Sequence, residues 1–241
     1  MSPNVSGSLD LHTDLAGVHL ASPVLTASGC AAAGRELEPF CDLRAIGGVV
    51  TKSVMLRPRS GRPTPRMAET SSGMLNSIGL QGPGIEAFLA HDLPWLRDRG
   101  ITAVVSIAGG SVAEFADVAS HLHGQEGIAA VEVNISCPNV ANRGLVFACD
   151  TGSAHEVIAA TMAHLPPGLP AFAKLSPDVT DIVAIARSCL AAGATGLSAI
   201  NTLLGVSIDT DTLRPRLAVT TGGLSGPAIR PVAVRAVWQL A

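Results

Sequence analysis

The residues best suited to chemistry lie at the end of one apolar run. Residues 128–133 read as a buried strand, and Asn134, Ser136, Cys137 and Asn139 crowd together just past it. Pro138 cannot donate to a sheet ladder and biases Cys137 away from helix. The chain therefore leaves the strand at Cys137 and presents a thiol, a hydroxyl and two amides. A lone cysteine in a turn is more often a small core residue; here its polar neighbours favour a site. Amides that converge on one mouth suit a planar polar heterocycle with both donors and acceptors, and a nearby lysine suits an anion or an electron-rich ring.

Other runs end in the same way. The chain has two lysines, Lys52 and Lys174, against fourteen arginines, and both lysines close an apolar strand-like run. An ammonium is a compact point charge where a guanidinium is a planar fork, so these two positions mark places that want the former. Ser28, Ser106, Asn201 and Thr202 also stand at strand ends, and Asn76 lies in a long loop. Four of the six asparagines (Asn76, Asn134, Asn139, Asn201) fall in this set, which is more than separate turn residues require.

The elements that must position these groups alternate. A small hairpin is expected over 9–20, around Ala16-Gly17. Strands are expected at 23–29, 47–53, 101–109, 128–133, 169–174 and 194–200. Helices are expected at 35–46, 84–99, 112–123, 153–164, 179–192 and from 227 onward. Residues 57–81 read as a long irregular insertion, the kind of loop that usually carries function. Its far end, 74–82, reads as a segment folding down over something. Residues 142–150 and 205–221 read as loops. Strand–helix alternation implies a parallel sheet with helices outside it. Polar residues at every strand end match the reactive face of a TIM (β/α)8 barrel. Only about six strand–helix units are visible, so the expectation is a single domain over 1–241 that lacks strands seven and eight.

Composition excludes several classes. Hydrophobic residues make 47% of the chain against 15% charged, with mean hydropathy +0.40, ample for a core. A net charge of −3 offers no general attraction to nucleic acid or an anionic membrane. Five scattered cysteines with no C-x-x-C pair fit a reducing, cytoplasmic setting and exclude the usual iron–sulfur and zinc-ribbon spacings. No secretory signal is visible. The charge-free window 188–208 is interrupted by glycines and Asn201, and reads as helix end, strand and loop rather than a membrane span. His121-x-His123 reads as two surface histidines, because a helix does not bring i and i+2 to one face. Gly79-x-x-Gly82-x-Gly84 and Gly222-Gly223 lack the setting of a dinucleotide fingerprint. The arginine cluster over 57–66 reads as a solvated loop.

With these residues assembled, the chain resembles class 1 dihydroorotate dehydrogenases, flavin enzymes of pyrimidine (UMP) synthesis. The resemblance is carried by Asn134-Ile-Ser-Cys137-Pro-Asn139, Thr51-Lys52-Ser53, Asn76-Ser77-Ile78-Gly79-Leu80, Lys174-Leu-Ser-Pro, Ile200-Asn201-Thr202 and Gly222-Gly-Leu-Ser-Gly226-Pro-Ala-Ile, in family order. The last stretch is more similar to the class 1B catalytic subunit than to class 1A. That division implies one FMN per subunit and a partner electron-transfer subunit carrying FAD and a [2Fe-2S] cluster, with NAD as final acceptor. It also implies a homodimer within a heterotetramer.

The resemblance further implies roles. Cys137 would be the base taking the C5 proton of dihydroorotate while a hydride leaves C6 for FMN. Lys52, Asn76, Ser77, Ile78, Gly79, Leu80, Asn134, Asn139, Asn201 and Thr202 would bind the substrate. Ser28, Lys52, Ser53, Ser106, Asn134, Lys174, Ile200 and Gly226 would line the FMN site, with Lys174 stabilising negative charge on the reduced flavin. No metal is implied. Ser106 stands where the family usually has asparagine, and the loop after Cys137 carries less glycine than the family favours. In the family, loops after strands seven and eight hold the FMN phosphate, so this chain is expected to bind FMN weakly or not at all. Two alternatives stay open: a dihydropyrimidine dehydrogenase-like flavoenzyme, whose motif usually has histidine at the position of Asn139, and a non-catalytic remnant retaining a partner-binding surface.

Overall fold

The computed structural model describes residues 9–136 and 146–241. An opening hairpin pairs Thr13–Leu15 (β1) with Val18–Leu20 (β2) through Ala16-Gly17, as expected from the sequence. Residues 23–29 contribute a single parallel bridge, Leu25 to Gly48, beside Val49–Val50 (β3). An antiparallel hairpin follows, Met67–Thr70 (β4) and Gly73–Asn76 (β5). The next helical stretch runs as Ile85–Ala87 (α1), a π-turn at Phe88–Asp92, and Leu93–Asp98 (α2). Pro94 lies in the first turn of α2 and has no N–H to give, and the wider turn ends where Leu93 N–H reaches the Phe88 carbonyl.

Ala103–Ile107 (β6) is buried at every position. Val112–Ser120 (α3) is capped by Ser111, whose side chain accepts from the Glu114 N–H. Then come Ile128–Asn134 (β7), Thr151–His164 (α4), Ala171–Lys174 (β8), Ile182–Ala191 (α5) and Gly196–Ser198 (β9). Asp150 and Asp181 cap α4 and α5 in the same manner as Ser111. Short strands Leu203–Gly205 (β10), Ile208–Asp209 (β11), Arg214–Pro215 (β12) and Gly222–Ser225 (β13) precede Arg230–Leu240 (α6).

The parallel sheet is ordered β3-β6-β7-β8-β9, each strand beside its predecessor in the chain. Its outer face carries Val105, Ile107, Val131, Val133, Ala171 and Ala173, packed with Phe115, Val118, Val157, Ile158 and Ile185 of the helices. Burial on both faces explains why these strands read as continuous apolar runs rather than alternating ones. The inner face begins with Val50, Val104, Ala130 and Phe172, against which Leu15, Val18 and Leu25 pack. The opening hairpin thus closes the amino-terminal end of that face. Phe172 has room because its strand neighbour is Gly196, where a Cβ would lie 2.9 Å from the ring.

Three expectations need correcting. Residues 35–46 are turns, not helix. Gly34 has φ +92°, Pro39 breaks the donor ladder, and most backbone bonds there span three residues, as from Leu37 N–H to Gly34 O and Phe40 N–H to Leu37 O. Residues 57–81 are not irregular throughout, since they contain the β4–β5 hairpin. Residues 205–221 are not simply loop, since β11 and β12 pair antiparallel within them. β10 and β13 join β5 and β4 in one antiparallel sheet ordered β10-β13-β5-β4. No single segment signals that sheet, because its strands lie about 150 residues apart and are only half-buried.

Candidate active site

Period two along a strand carries the inner face past its apolar layer into a polar one. Ser106 stands opposite Glu132, Asn134 opposite Lys174, and Lys174 opposite Ser198. These side chains meet. Glu132 is 4% exposed. Its Oε1 accepts from Ser106 Oγ at 3.1 Å, and its Oε2 accepts from Ser198 Oγ at 2.7 Å and from Lys174 Nζ at 3.4 Å. A buried carboxylate survives only when paired and fully hydrogen-bonded, and this one is both. Sequence reading passed over Glu132 and Ser198. The signal was present as a lone acid inside an otherwise apolar strand.

The network continues toward the strand ends. Ser53 Oγ lies 2.9 Å from Ser106 Oγ, and Asn134 Nδ2 donates to Ser53 Oγ at 3.0 Å. Asn134 Oδ1 accepts from Asn201 Nδ2 and from the Ser136 N–H, each at 3.2 Å. Asn201 Oδ1 accepts from the Thr202 N–H at 2.8 Å. Ser28 Oγ donates to the Thr51 carbonyl at 2.8 Å and lies 3.4 Å from Ser53 Oγ. Lys52 lies beside the Gly29 turn, where a Cβ would sit 3.4 Å from Nζ. Ser28, Lys52, Ser53, Ser106, Asn134, Lys174, Asn201 and Thr202 therefore stand on one face of the sheet at its carboxyl-terminal end. Among the described residues, the Ser136 hydroxyl is buried with no hydrogen-bond partner.

Asn76 joins this mouth from the antiparallel sheet. Its Nδ2 donates to the Gly223 carbonyl at 3.1 Å, and Gly223 abuts Thr202 so closely that a Cβ would lie 2.1 Å from Thr202 Oγ1. Ser77 and Ile78 are held by Arg62, whose Nη1 donates to Ser77 Oγ and whose N–H donates to the Ile78 carbonyl. Gly79 has φ +79° against Arg62, and Leu80 packs on Met55 and Ala108 at the end of β6. Ile200 packs against the core on the helix side. Gly226, with φ +94°, packs on the Ser72–Gly73 turn. Cys137 and Asn139 lie outside the described residues. The described chain on either side of them meets where Ala148 N–H donates to the Ile135 carbonyl at 2.9 Å. Phe147 fixes that return, edge-on to Phe115 at 5.8 Å and 88°.

Two further thiols are held away from the thiolate form. Burial and the charge of Asp178 push the Cys149 thiol up, the opposite of what a thiolate needs, and burial pushes Cys189 up to about 11. His121 Nδ1 pairs with the Asp117 carbonyl and His123 Nε2 with the His164 carbonyl. Among the described residues no three His, Cys, Asp or Glu side chains group as a metal site, and no helix is long and apolar enough to cross a membrane.

The donor set fits a flat, carbonyl-rich ring system. Among the described residues, Asn134 and Asn201 each spend one amide hydrogen inside the network and keep a second, and the Lys174 ammonium arises opposite Asn134 on the neighbouring strand. This suits a flavin and a pyrimidine better than a metal or a phosphate chain.

The family model for dihydroorotate dehydrogenase matches residues 10–241. A protein of Citrifermentans bemidjiense named dihydroorotate dehydrogenase B (NAD(+)), catalytic subunit, is 47% identical over 232 residues, covering 96% of this chain and 75% of that protein. Proteins of the same name from Pelobacter propionicus and Geobacter sulfurreducens are 49% and 47% identical, with the same coverage of each chain.

Proposed function

The chain belongs to the dihydroorotate dehydrogenase family, and from that premise we propose that it oxidises dihydroorotate to orotate with FMN, as a class 1B catalytic subunit. The linked amides of Asn134 and Asn201 at the strand ends, beside two lysines, carry this reading. They bring amide donors and acceptors together at one mouth, which is what a pyrimidine ring presents in return. We further propose that the sequence-ordered parallel sheet is the wall of a β/α barrel, with the site at its carboxyl-terminal mouth.

In this mechanism Asn76, Asn134, Asn139, Asn201 and Thr202 hold the ring and carboxylate of dihydroorotate, with 77–80 closing over it. Lys52 faces both substrate and cofactor. Ser28, Ser53, Ser106 and Lys174 line the cofactor side from the sheet, while Ile200 and Gly226 reach it only through their backbone. Cys137, as thiolate, takes the proton from C5 while a hydride leaves C6, so the C5–C6 double bond forms and one proton and one hydride are accounted for. FMN, when bound, supplies the hydride acceptor. A partner subunit carrying FAD and a [2Fe-2S] cluster would carry the electrons on to NAD, in a cytoplasmic heterotetramer built on a homodimer.

The test supplies FMN in excess, so that affinity does not limit the result. Anaerobic addition of dihydroorotate is expected to bleach the flavin absorbance and yield one orotate per flavin reduced. Cys137→Ser is expected to keep FMN and orotate binding and to slow bleaching about 10²–10⁴-fold, the usual contribution of one general base. Bleaching at the wild-type rate in that variant would place the base elsewhere, and no bleaching in the wild type would end the reading.

A further inference from the structure

We propose that Glu132 is a positioning residue whose carboxylate both holds Lys174 in place and sets the donor direction of the mouth amides. No role has been assigned to it above, and the inference rests on the proposed flavin site. An ionised carboxylate only accepts hydrogen bonds. Ser106 gives its single hydroxyl hydrogen to Glu132 Oε1. Ser53 must then donate to Ser106, and Asn134 Nδ2 donates to Ser53. Asn134 therefore turns Oδ1 away from the carboxylate, where Asn201 Nδ2 and the Ser136 N–H meet it. Asn201 in turn points Oδ1 at the Thr202 N–H.

The chain runs in one direction from Thr202 to Glu132. Two backbone N–H groups, which can only donate, fix its far end, and the carboxylate fixes its near end. The two amides consequently present their remaining N–H groups in a set order. The charge matters separately. Lys174 and Glu132 are 12% and 5% exposed at their side chains, so little water screens either one. Glu132 offsets the positive charge of Lys174 at the inner face, and removing it leaves that face more cationic.

Having only two lysines makes the test clean. The FMN-free chain is treated with formaldehyde and cyanoborohydride, and methylation of Lys52 and Lys174 is followed by mass spectrometry. Glu132→Gln is expected to raise the Lys174 rate at least fivefold, with Lys52 within twofold. Ser106→Ala, which cuts the serine relay and leaves the ion pair, is expected to change neither. In FMN-loaded protein, Glu132→Gln is expected to shift the oxidised-to-reduced ratio of bound flavin at least tenfold toward reduced, about 30 mV for two electrons. Ser106→Ala is expected to shift it less than threefold.

An unchanged Lys174 rate in Glu132→Gln would overturn the positioning role. Equal potential shifts in the two variants would overturn the charge role. If Glu132→Gln does not fold, Ser198→Ala removes a hydrogen bond from the same carboxylate oxygen at constant charge. A two- to threefold rise in Lys174 methylation then supports the proposal, and no rise overturns it. A wild-type chain whose flavin dihydroorotate does not bleach, with FMN in excess, would refute the flavin reading, while the methylation rates still decide whether Glu132 holds Lys174.

Discussion

Gly223→Ala puts a methyl where the antiparallel sheet touches the mouth. The added Cβ would lie 2.1 Å from Thr202 Oγ1, 2.7 Å from its Cβ and 3.3 Å from its Cγ2. Under 3 Å something must move. Gly223 is pinned on both sides, paired with Leu204 of β10 and with Asn76 of β5, so strand β13 cannot simply slide. Overpacking of this kind costs roughly 1–3 kcal/mol. Displacing Thr202 also strains its N–H bond to Asn201 and the Asn76 bond to the Gly223 carbonyl, at about 1 kcal/mol each if lost. The expected destabilisation is roughly 1–5 kcal/mol, or roughly 2–20 °C in Tm for a domain of this size. Orotate affinity is expected to fall at least tenfold, because Asn76, Asn201 and Thr202 all shift together. Thermal melts and an orotate titration with FMN present measure both effects. The double variant Gly223→Ala with Thr202→Gly removes every atom in the clash, and is expected to recover most of the stability but not the affinity. A single variant melting within 1 °C of wild type would refute the packing argument. A double variant no more stable than the single would do the same.

Two further outcomes concern stability. Cys189 is fully buried, and its thiol stays protonated to about pH 11, while an unfolded thiol loses its proton from about pH 9. A folded pKa raised in this way means stability present below pH 9 is lost as pH rises toward 11, by about 1.4 kcal/mol at pH 10. The chain has no tyrosine to add its own alkaline titration. Urea melts of wild type and Cys189→Ala at pH 8 and pH 10 are therefore expected to show a steeper loss in the wild type, and parallel losses would contradict the assignment. Asp181→Ala removes the side chain that accepts from Ala184 N–H at 3.0 Å, and is expected to cost about 1 kcal/mol by urea melt with no change in FMN binding.

The parallel strands were legible because burial on both faces makes them apolar from end to end, with polar groups only where they stop. The same feature exposed Lys52, Asn134, Lys174 and Asn201. It hid Glu132, which sits inside a strand rather than at its end and has meaning only once Ser106, Lys174 and Ser198 are brought around it. Leu37, Phe40, Leu43 and Ile46 recur at helical spacing, yet the segment is a run of turns with Phe40 83% exposed. Local periodicity there loses to Gly34, Pro39 and the Asp42 side chain, which binds the Arg44 N–H at 3.0 Å. The β4–β5 hairpin was missed for a different reason. Its strands are neighbours in sequence but only four residues each and half-buried, and the strand that completes their sheet lies beyond residue 220.

That separation has a consequence for how the protein is made. Asn76 and the Gly223 carbonyl it binds are 147 residues apart. At roughly 5–20 residues per second of synthesis, the hairpin over 67–76 emerges roughly seven to thirty seconds before the strand that pairs with it. The parallel wall can assemble strand by strand as it leaves the ribosome. The cover of the mouth cannot, and closing such distant contacts is slow. Binding competence is therefore a late event in biogenesis, and a nascent chain arrested near residue 200 would carry the wall and its buried Glu132 with no finished mouth above it.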